Sequence, residues 1–337
     1  MADDDVNPQQ TAMAQFALFQ QFQNMQQGKM PGSFPQPQVA PPSADEEEEE
    51  DEFGIIKPAT LRPKVVDQTG FQVSKDKIGP LDRLFLKRDT TEALGGIPSG
   101  CTTVLSGGPG SGKSRCGMEA VIMVASRGVK VGAIFAEEGY YDDSDSGRED
   151  LMSRIGRMGM ELLGMDYPTF KKEVENNMVV FNPTYDIGLS WEDFTKAYNA
   201  LIEKYGCKFM LIDSINALDP SARNLKQNLA GLKTYNHKHG VTCLIIGQVG
   251  SGGGVQGGDP LIHESDAHVH IEKVNLTTKA QQADWGVDAK QSIQVVRSLK
   301  SVTTTIYPYP GRCEVDDEGF FRFTSDGTQA HVLPTAE

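Results

Sequence analysis

Gly107-Gly108-Pro109-Gly110-Ser111-Gly112-Lys113-Ser114 is the stretch on which the fold turns. It has the spacing G-x-x-x-x-G-K-[ST], a loop whose backbone N–H groups curl inward around phosphate oxygens. Such a loop needs a strand before it and a helix after it. Thr102-Thr103-Val104-Leu105-Ser106 is short, β-branched and apolar, as a buried strand is. From Arg115 to Arg127, Met118, Val121, Ile122 and Ala125 recur at helical spacing. The glycines permit the curl, and the helix N-terminus turns its positive end toward the anion. Lys113 reaches the β- and γ-phosphates and the Ser114 hydroxyl ligates Mg²⁺. The expected nucleotide contacts are Gly107, Gly108, Pro109, Gly110, Ser111, Gly112, Lys113, Ser114 and Arg115, with ATP and Mg²⁺ as the bound species.

The 337 residues suffice for one large α/β domain with extensions. The formal charge of −14 is unevenly spread: residues 1–54 hold eleven acids against the single base Lys29, leaving only −4 for the rest. The low isoelectric point therefore describes the tail more than the body. No apolar run is long enough to span a bilayer, and no charged-then-apolar leader opens the chain. Five scattered cysteines (101, 116, 207, 243 and 313) contain no C-x-x-C pair. They read as reduced, buried thiols of the cytoplasm, whether the chain is cellular or viral.

Residues 1–57 form an appendage. Asn7-Pro8 suits a helix start, and Ala14, Leu18, Phe22 and Met25 share one face, with Gly28 able to close the helix. Residues 8–27 are either a weakly helical, glutamine-rich arm or a docking helix for a protein partner or neighbouring subunit. Pro31–Pro42 is stiff and proline-rich, and Asp45–Glu52 is an acidic block, a solvated spacer or a mimic of nucleic acid. The folded domain is expected over 58–326, with a flexible end at 327–337. Strands are expected at Val131–Ala136, Met178–Phe181, Phe209–Ile212 and Val241–Ile246. Helices are expected at Arg148–Leu163, Trp191–Lys204 and Asn224–His239. This alternation of near-continuous apolar strands with helices predicts a mainly parallel sheet covered on both faces. After Gly257, strands at His268–Glu272, Gln291–Arg297, Thr303–Tyr307 and Gly319–Phe323 are expected to extend it antiparallel.

Chemistry gathers at the strand ends. Phe209-Met210-Leu211-Ile212-Asp213 is an apolar strand ending in an acid, which after a phosphate loop holds Mg²⁺ together with Ser114. Ala133-Ile134-Phe135-Ala136 ends in Glu137-Glu138, and hydrolysis needs a group that deprotonates the attacking water. Glu137 is the first candidate and Glu138 the second. Ile245-Ile246-Gly247 ends in Gln248, placed to bond the γ-phosphate or the water. The ten residues Val249–Gly258 that follow include six glycines and no Lys or Arg. A phosphate sensor joined to a glycine-rich loop is the layout of a nucleotide switch; a plain connector is the alternative. His263, His268 and His270 lack the partners of a metal site and read as strand polarity. Arg297 and Lys300 are either idle surface charge or a cation offered to a neighbouring subunit's nucleotide.

In this order the motifs resemble the ATPase core of the RecA superfamily, in its RadA/Sms and KaiC-like branch. Leu94–Gly100 is similar to that family's glycine-rich entry segment, Glu137-Glu138 to its paired acids, and Leu211-Ile212-Asp213-Ser214 to its Mg²⁺-binding strand. Gln248 with the glycine-rich stretch and His263–Asp266 resembles the segment facing DNA in RadA/Sms. Ser298–Ser301 lies where that family has K-N-R-F-G, of which only Lys300 is kept. The four-cysteine finger and Lon-like domain of RadA/Sms are missing. The resemblance, over roughly 78–323, implies an ATP hydrolase with catalytic residues Glu137, Glu138, Lys113 and Gln248. It implies a homo-oligomer, ring or filament, acting on single-stranded DNA in recombination, repair or strand migration. A KaiC-like signalling or scaffold ATPase without DNA, or a DnaB-like helicase motor, are the alternatives.

Overall fold

The computed structural model describes residues 67–141, 147–183, 190–218, 224–248, 259–287 and 292–324. The chain divides into two compact units, Met1–Lys64 and Val65–Glu337, and all described residues belong to the second. The docking segment 8–27, the acidic block, the glycine-rich stretch 249–258 and the end 327–337 lie outside the described residues.

In chain order the strands are β1 Gly70–Phe71, β2 Phe85–Leu86, β3 Ile97–Pro98, β4 Thr102–Gly107, β5 Val131–Phe135, β6 Met178–Phe181, β7 Phe209–Asp213 and β8 Thr242–Gln248, then β9 Ala267–Asn275, β10 Ser292–Ser301, β11 Thr305–Ile306, β12 Gly311–Val315 and β13 Phe321–Thr324. The helices are α1 Pro80–Arg83, α2 Lys113–Ala125, α3 Leu151–Leu163, α4 Tyr167–Glu173, α5 Trp191–Glu203, α6 Ile215–Leu218, α7 Leu225–His239, α8 Asp259–Glu264 and α9 Lys279–Trp285. Local chemistry sets their ends. The Asp150 carboxylate accepts from Ser153 N, so α3 starts at Leu151 rather than Arg148, and Gly164, left-handed at φ 64°, stops it.

The main sheet has nine strands in the order β13-β12-β10-β9-β4-β8-β7-β5-β6. From β6 to β9 every pairing is parallel, and β10, β12 and β13 are antiparallel additions. The central strands are buried on both faces, which is why they read as unbroken apolar runs. Alternate residues part company: Leu105, Ala133, Phe135, Leu211, Leu244 and Ile246 pack with α2, α3 and α4. Val104, Ile134, Met210, Ile212, Cys243 and Ile245 pack with α5 and α7. All five cysteines are free and buried. Among the described residues no helix is long and apolar enough to cross a membrane.

Two expectations about the C-terminal part are corrected. β9, expected to begin the antiparallel extension, runs parallel to β4 from Ala267 to Ile271, because α8 returns the chain to the same edge before β9 starts. Thr305–Ile306 leaves the main sheet and pairs with β2. Its place beside β10 is taken by β12, whose two exposed residues Glu314 and Val315 break the apolar pattern that would have marked it. The short helices α4 and α9 are also new. α9 is held by a capping box between Thr278 and Gln281 rather than by an apolar stripe.

The β12–β13 hairpin is fastened to α2 by buried charge. Arg322 Nη1 donates to both Glu119 carboxylate oxygens at 2.8 Å and Arg322 Nε lies 3.0 Å from Asp316. Lys75 N adds a bond to Glu119 at 3.1 Å. Side-chain exposures of 9% and 2% leave Arg322 and Glu119 little access to bulk water. Replacing Arg322 by Met strands the Glu119 charge and is expected to lower unfolding free energy by about 3 kcal/mol. Adding Glu119→Leu should recover most of the loss, read from urea denaturation midpoints.

Candidate functional site

The carboxyl ends of four adjacent strands, β4, β8, β7 and β5, meet at one edge, the place where open α/β sheets bind ligands. The phosphate loop leaves β4 there. Gly112 has φ 93° and leads into α2. A Cβ at Gly107 would sit 2.5 Å from Ile271 O and 2.7 Å from Ser111 Oγ, so only glycine allows β4, β9 and the loop to close this tightly. Pro109 and Gly110 form the exposed crest. Lys113, the first residue of α2, is buried, and its ammonium bends back to donate to Gly108 O at 2.8 Å. Burial depresses its pKa, while Asp213 and Glu137 work against that shift. Ser111 Oγ is buried and has no hydrogen-bond partner, an acceptor or donor kept inside the loop.

Asp213 ends β7, where its peptide bond to Ser214 is cis. The residue is 8% exposed and lines the same recess as Ser114. Burial raises its pKa to about 6, with Glu137 adding and Ser114 and Lys113 opposing. An oxygen pair of this kind, a buried carboxylate beside an exposed hydroxyl, suits Mg²⁺, which takes one or two protein oxygens and keeps several waters. A recess of about 70 Å³ lined by Ser114, Glu137, Glu138, Asp213 and Arg154 gives the ion room.

The two acids after β5 part ways. Glu137 accepts from the Ser214 hydroxyl and from the Gln248 side-chain amide. Glu138 turns to α3 and pairs with Arg154 at 3.0 Å. The turn that carries both is pinned at two points: Ala136 N donates to Asp213 O at 2.7 Å, and Asn182 Nδ2 donates to the carbonyls of Phe135 (2.6 Å) and Glu138 (2.8 Å). Gln248, at the end of β8, is held by its own N–H, which donates to Asn216 Oδ1 at 2.8 Å. Lys113, Asp213, Glu137 and Gln248 thus come together at one edge of the sheet.

Beside the loop opens a cleft of about 680 Å³, within the range of small-molecule sites. The loop forms one wall, Arg154 and Arg157 of α3 a second, and Glu318 and Gly319 of the β12–β13 turn a third. Arg115 fastens that turn by donating to Gly319 O. Sequence reasoning missed Asn182, Asn216, Arg154, Arg157 and this turn. Asn182 and Asn216 carried a signal, being polar residues just past apolar strands, whereas Arg154 and Arg157 look like any exposed helix cations.

Lys300 does not line the cleft of its own chain. Its ammonium donates to the carbonyls of Ile262 (3.2 Å), His263 (2.6 Å) and Ser265 (2.8 Å) at the end of α8. Arg297 is paired with Glu272. His268 and His270 converge on the Ser106 hydroxyl at 2.7 and 2.8 Å, and burial holds the His268 pKa at about 4, so it stays neutral.

The raised pKa of Asp213 has a measurable consequence. A folded-state value near 6 against an ordinary 3.8 means that stability present at low pH is lost as pH rises through about 6. Asp213→Asn, which carries no charge, should therefore be more stable than the wild-type chain at pH 7, by up to about 3 kcal/mol without ligands. The gain should vanish near pH 4. Thermal melts without nucleotide or Mg²⁺ across pH 4–8 test this.

The family model described as "ATPase: KaiC" matches residues 75–308. Among solved structures, a KaiC-like protein of the hyperthermophilic archaeon Pyrococcus horikoshii OT3 is similar at a TM-score of 0.53 and 16% identity. The match covers 76% of this chain and 100% of that one, a likeness of fold. No curated protein sequence matches the chain. On the extent of the family match, set on a RecA-like sheet with its phosphate loop, this chain belongs to the KaiC family of ATPases.

Proposed function

We propose that this ATPase hydrolyses Mg²⁺-ATP with Glu137 as general base and Gln248 as the sensor of the γ-phosphate. The observation that carries the proposal is the direct bond between the Gln248 amide and the Glu137 carboxylate at the edge where Lys113 and Asp213 also sit. Lys113 exchanges its bond to Gly108 O for the β- and γ-phosphate oxygens. Ser114 and Asp213 hold the ion, which when bound neutralises charge on the phosphates. Glu137 takes a proton from the attacking water as its oxygen bonds to the γ-phosphorus, and the β–γ bridging oxygen leaves with ADP. Gln248 feels both the base and the terminal phosphate and leads directly into Val249–Gly258. We assign the work coupled to this switch to DNA, in a homo-oligomer, with contacts to the DNA phosphates made by backbone N–H groups of that stretch. Arg297 or Lys300 reaches a neighbour's nucleotide only by giving up its present partners.

A second reading, a signalling or scaffold ATPase that recruits a protein through residues 8–27, is favoured by the absence of Lys and Arg from 249–258. Glu137→Gln is expected to lower kcat at least about 100-fold while still binding ATP, and Lys113→Ala to lose nucleotide affinity. Single-stranded DNA at low salt should raise the wild-type rate; a rate indifferent to DNA, with no DNA bound, leaves the second reading.

A further inference from the structure

The end of β8 is held in an unusual way. β7 and β8 pair only as far as Ile212 and Ile245, whereas β8 continues beside β4 until Gly107 faces Gln248. The last N–H of β8 on the β7 side, that of Gln248, therefore has no β7 carbonyl to meet, because β7 has ended at Asp213 and the chain has turned through Ser214 into α6. The side chain of Asn216, on α6 and 8% exposed, supplies the acceptor instead: its Oδ1 receives Gln248 N at 2.8 Å. A side chain stands in for one rung of the ladder, at the residue whose amide holds Glu137. Two residues before it, Ser214 donates to the same carboxylate. One turn of chain after β7 thus fixes the base through Ser214 and the sensor through Asn216.

We infer that Asn216 is a positioning residue for ATP hydrolysis, acting through Gln248: it holds the tip of β8 so that the Gln248 amide stays aimed at Glu137. The inference rests on the roles proposed above for Glu137 and Gln248. Without the Asn216 oxygen the Gln248 N–H turns to water and the tip of β8 frays. The cost falls on the aim of one side chain. Gln248 is only partly buried, so its freed N–H can be solvated and the fold is spared. Turnover should suffer and ATP affinity should not, since nothing in the phosphate loop is touched.

The test is a mutant cycle in the full-length chain, with ATP turnover, nucleotide affinity from a fluorescent ATP analogue, and thermal midpoints measured at pH 8. Asn216→Ala is expected to lower kcat about tenfold, with analogue affinity within about twofold of wild type. Asn216→Asp, which keeps an acceptor oxygen, should recover most of the rate. In a Gln248→Ala background, Asn216→Ala should cause no further loss, because the residue through which it acts is gone. A full additional tenfold loss in that background, or wild-type turnover by Asn216→Ala, overturns the inference. If Asn216→Ala is too unstable to assay, the Asn216→Asp rate decides: a loss as large as that of Gln248→Ala overturns it. Glu137→Gln separates the levels. Wild-type turnover by Glu137→Gln removes the proposed base and this inference with it. An inactive Glu137→Gln beside a fully active Asn216→Ala removes only the inference.

Discussion

Lateral hydrogen bonding between β4, β8, β7 and β5 is the constraint on which this molecule depends. Each strand ends in one polar device: the phosphate loop, Gln248, Asp213 and the Glu137-Glu138 turn. The devices are 24 to more than 100 residues apart in the chain and become neighbours only because the strands are parallel, adjacent and in register. The pairing of Phe135 with Asp213 shows how tight this is, since it sets Glu137 two residues beyond the level of Asp213. Helices on both faces keep water from the sheet, so the ladder bonds hold this edge firmly.

Bringing these groups together has an electrostatic cost. Asp213 and Lys113 are both taken largely out of water, and burial moves each toward its neutral form. Neither is neutralised by a short ion pair with the other; Lys113 instead donates to Gly108 O. The arrangement leaves the cation without a carboxylate and the carboxylate without a cation. A triphosphate and its divalent ion, bound as proposed, would satisfy both at once. Glu138 is occupied by Arg154, whereas Glu137 is held by two neutral donors.

Much of this was legible in the chain. The phosphate loop with its flanking apolar strand and helix, the acid after β7, the paired acids after β5 and the amide after β8 are local patterns, and each was read from a few consecutive residues. The alternation of apolar strands with amphipathic helices led to the parallel sheet for the same reason. The order of the antiparallel strands was not legible. β12 carries exposed Glu314 and Val315, and Thr305–Ile306 is two residues of ordinary β character that pair with β2 more than 200 positions earlier.

By itself, then, the sequence determined which side chains are the candidates for phosphate, metal and proton chemistry, because the loop spacing and the polar residue that ends an apolar strand are short-range facts. Only the tertiary structure decided how those side chains are held. Glu137 faces Gln248 while Glu138 faces Arg154, Asn216 completes a rung that β7 leaves open, and Lys300 closes α8. These choices depend on where a strand stops relative to its neighbour, a property of pairing between distant segments that no stretch of residues contains.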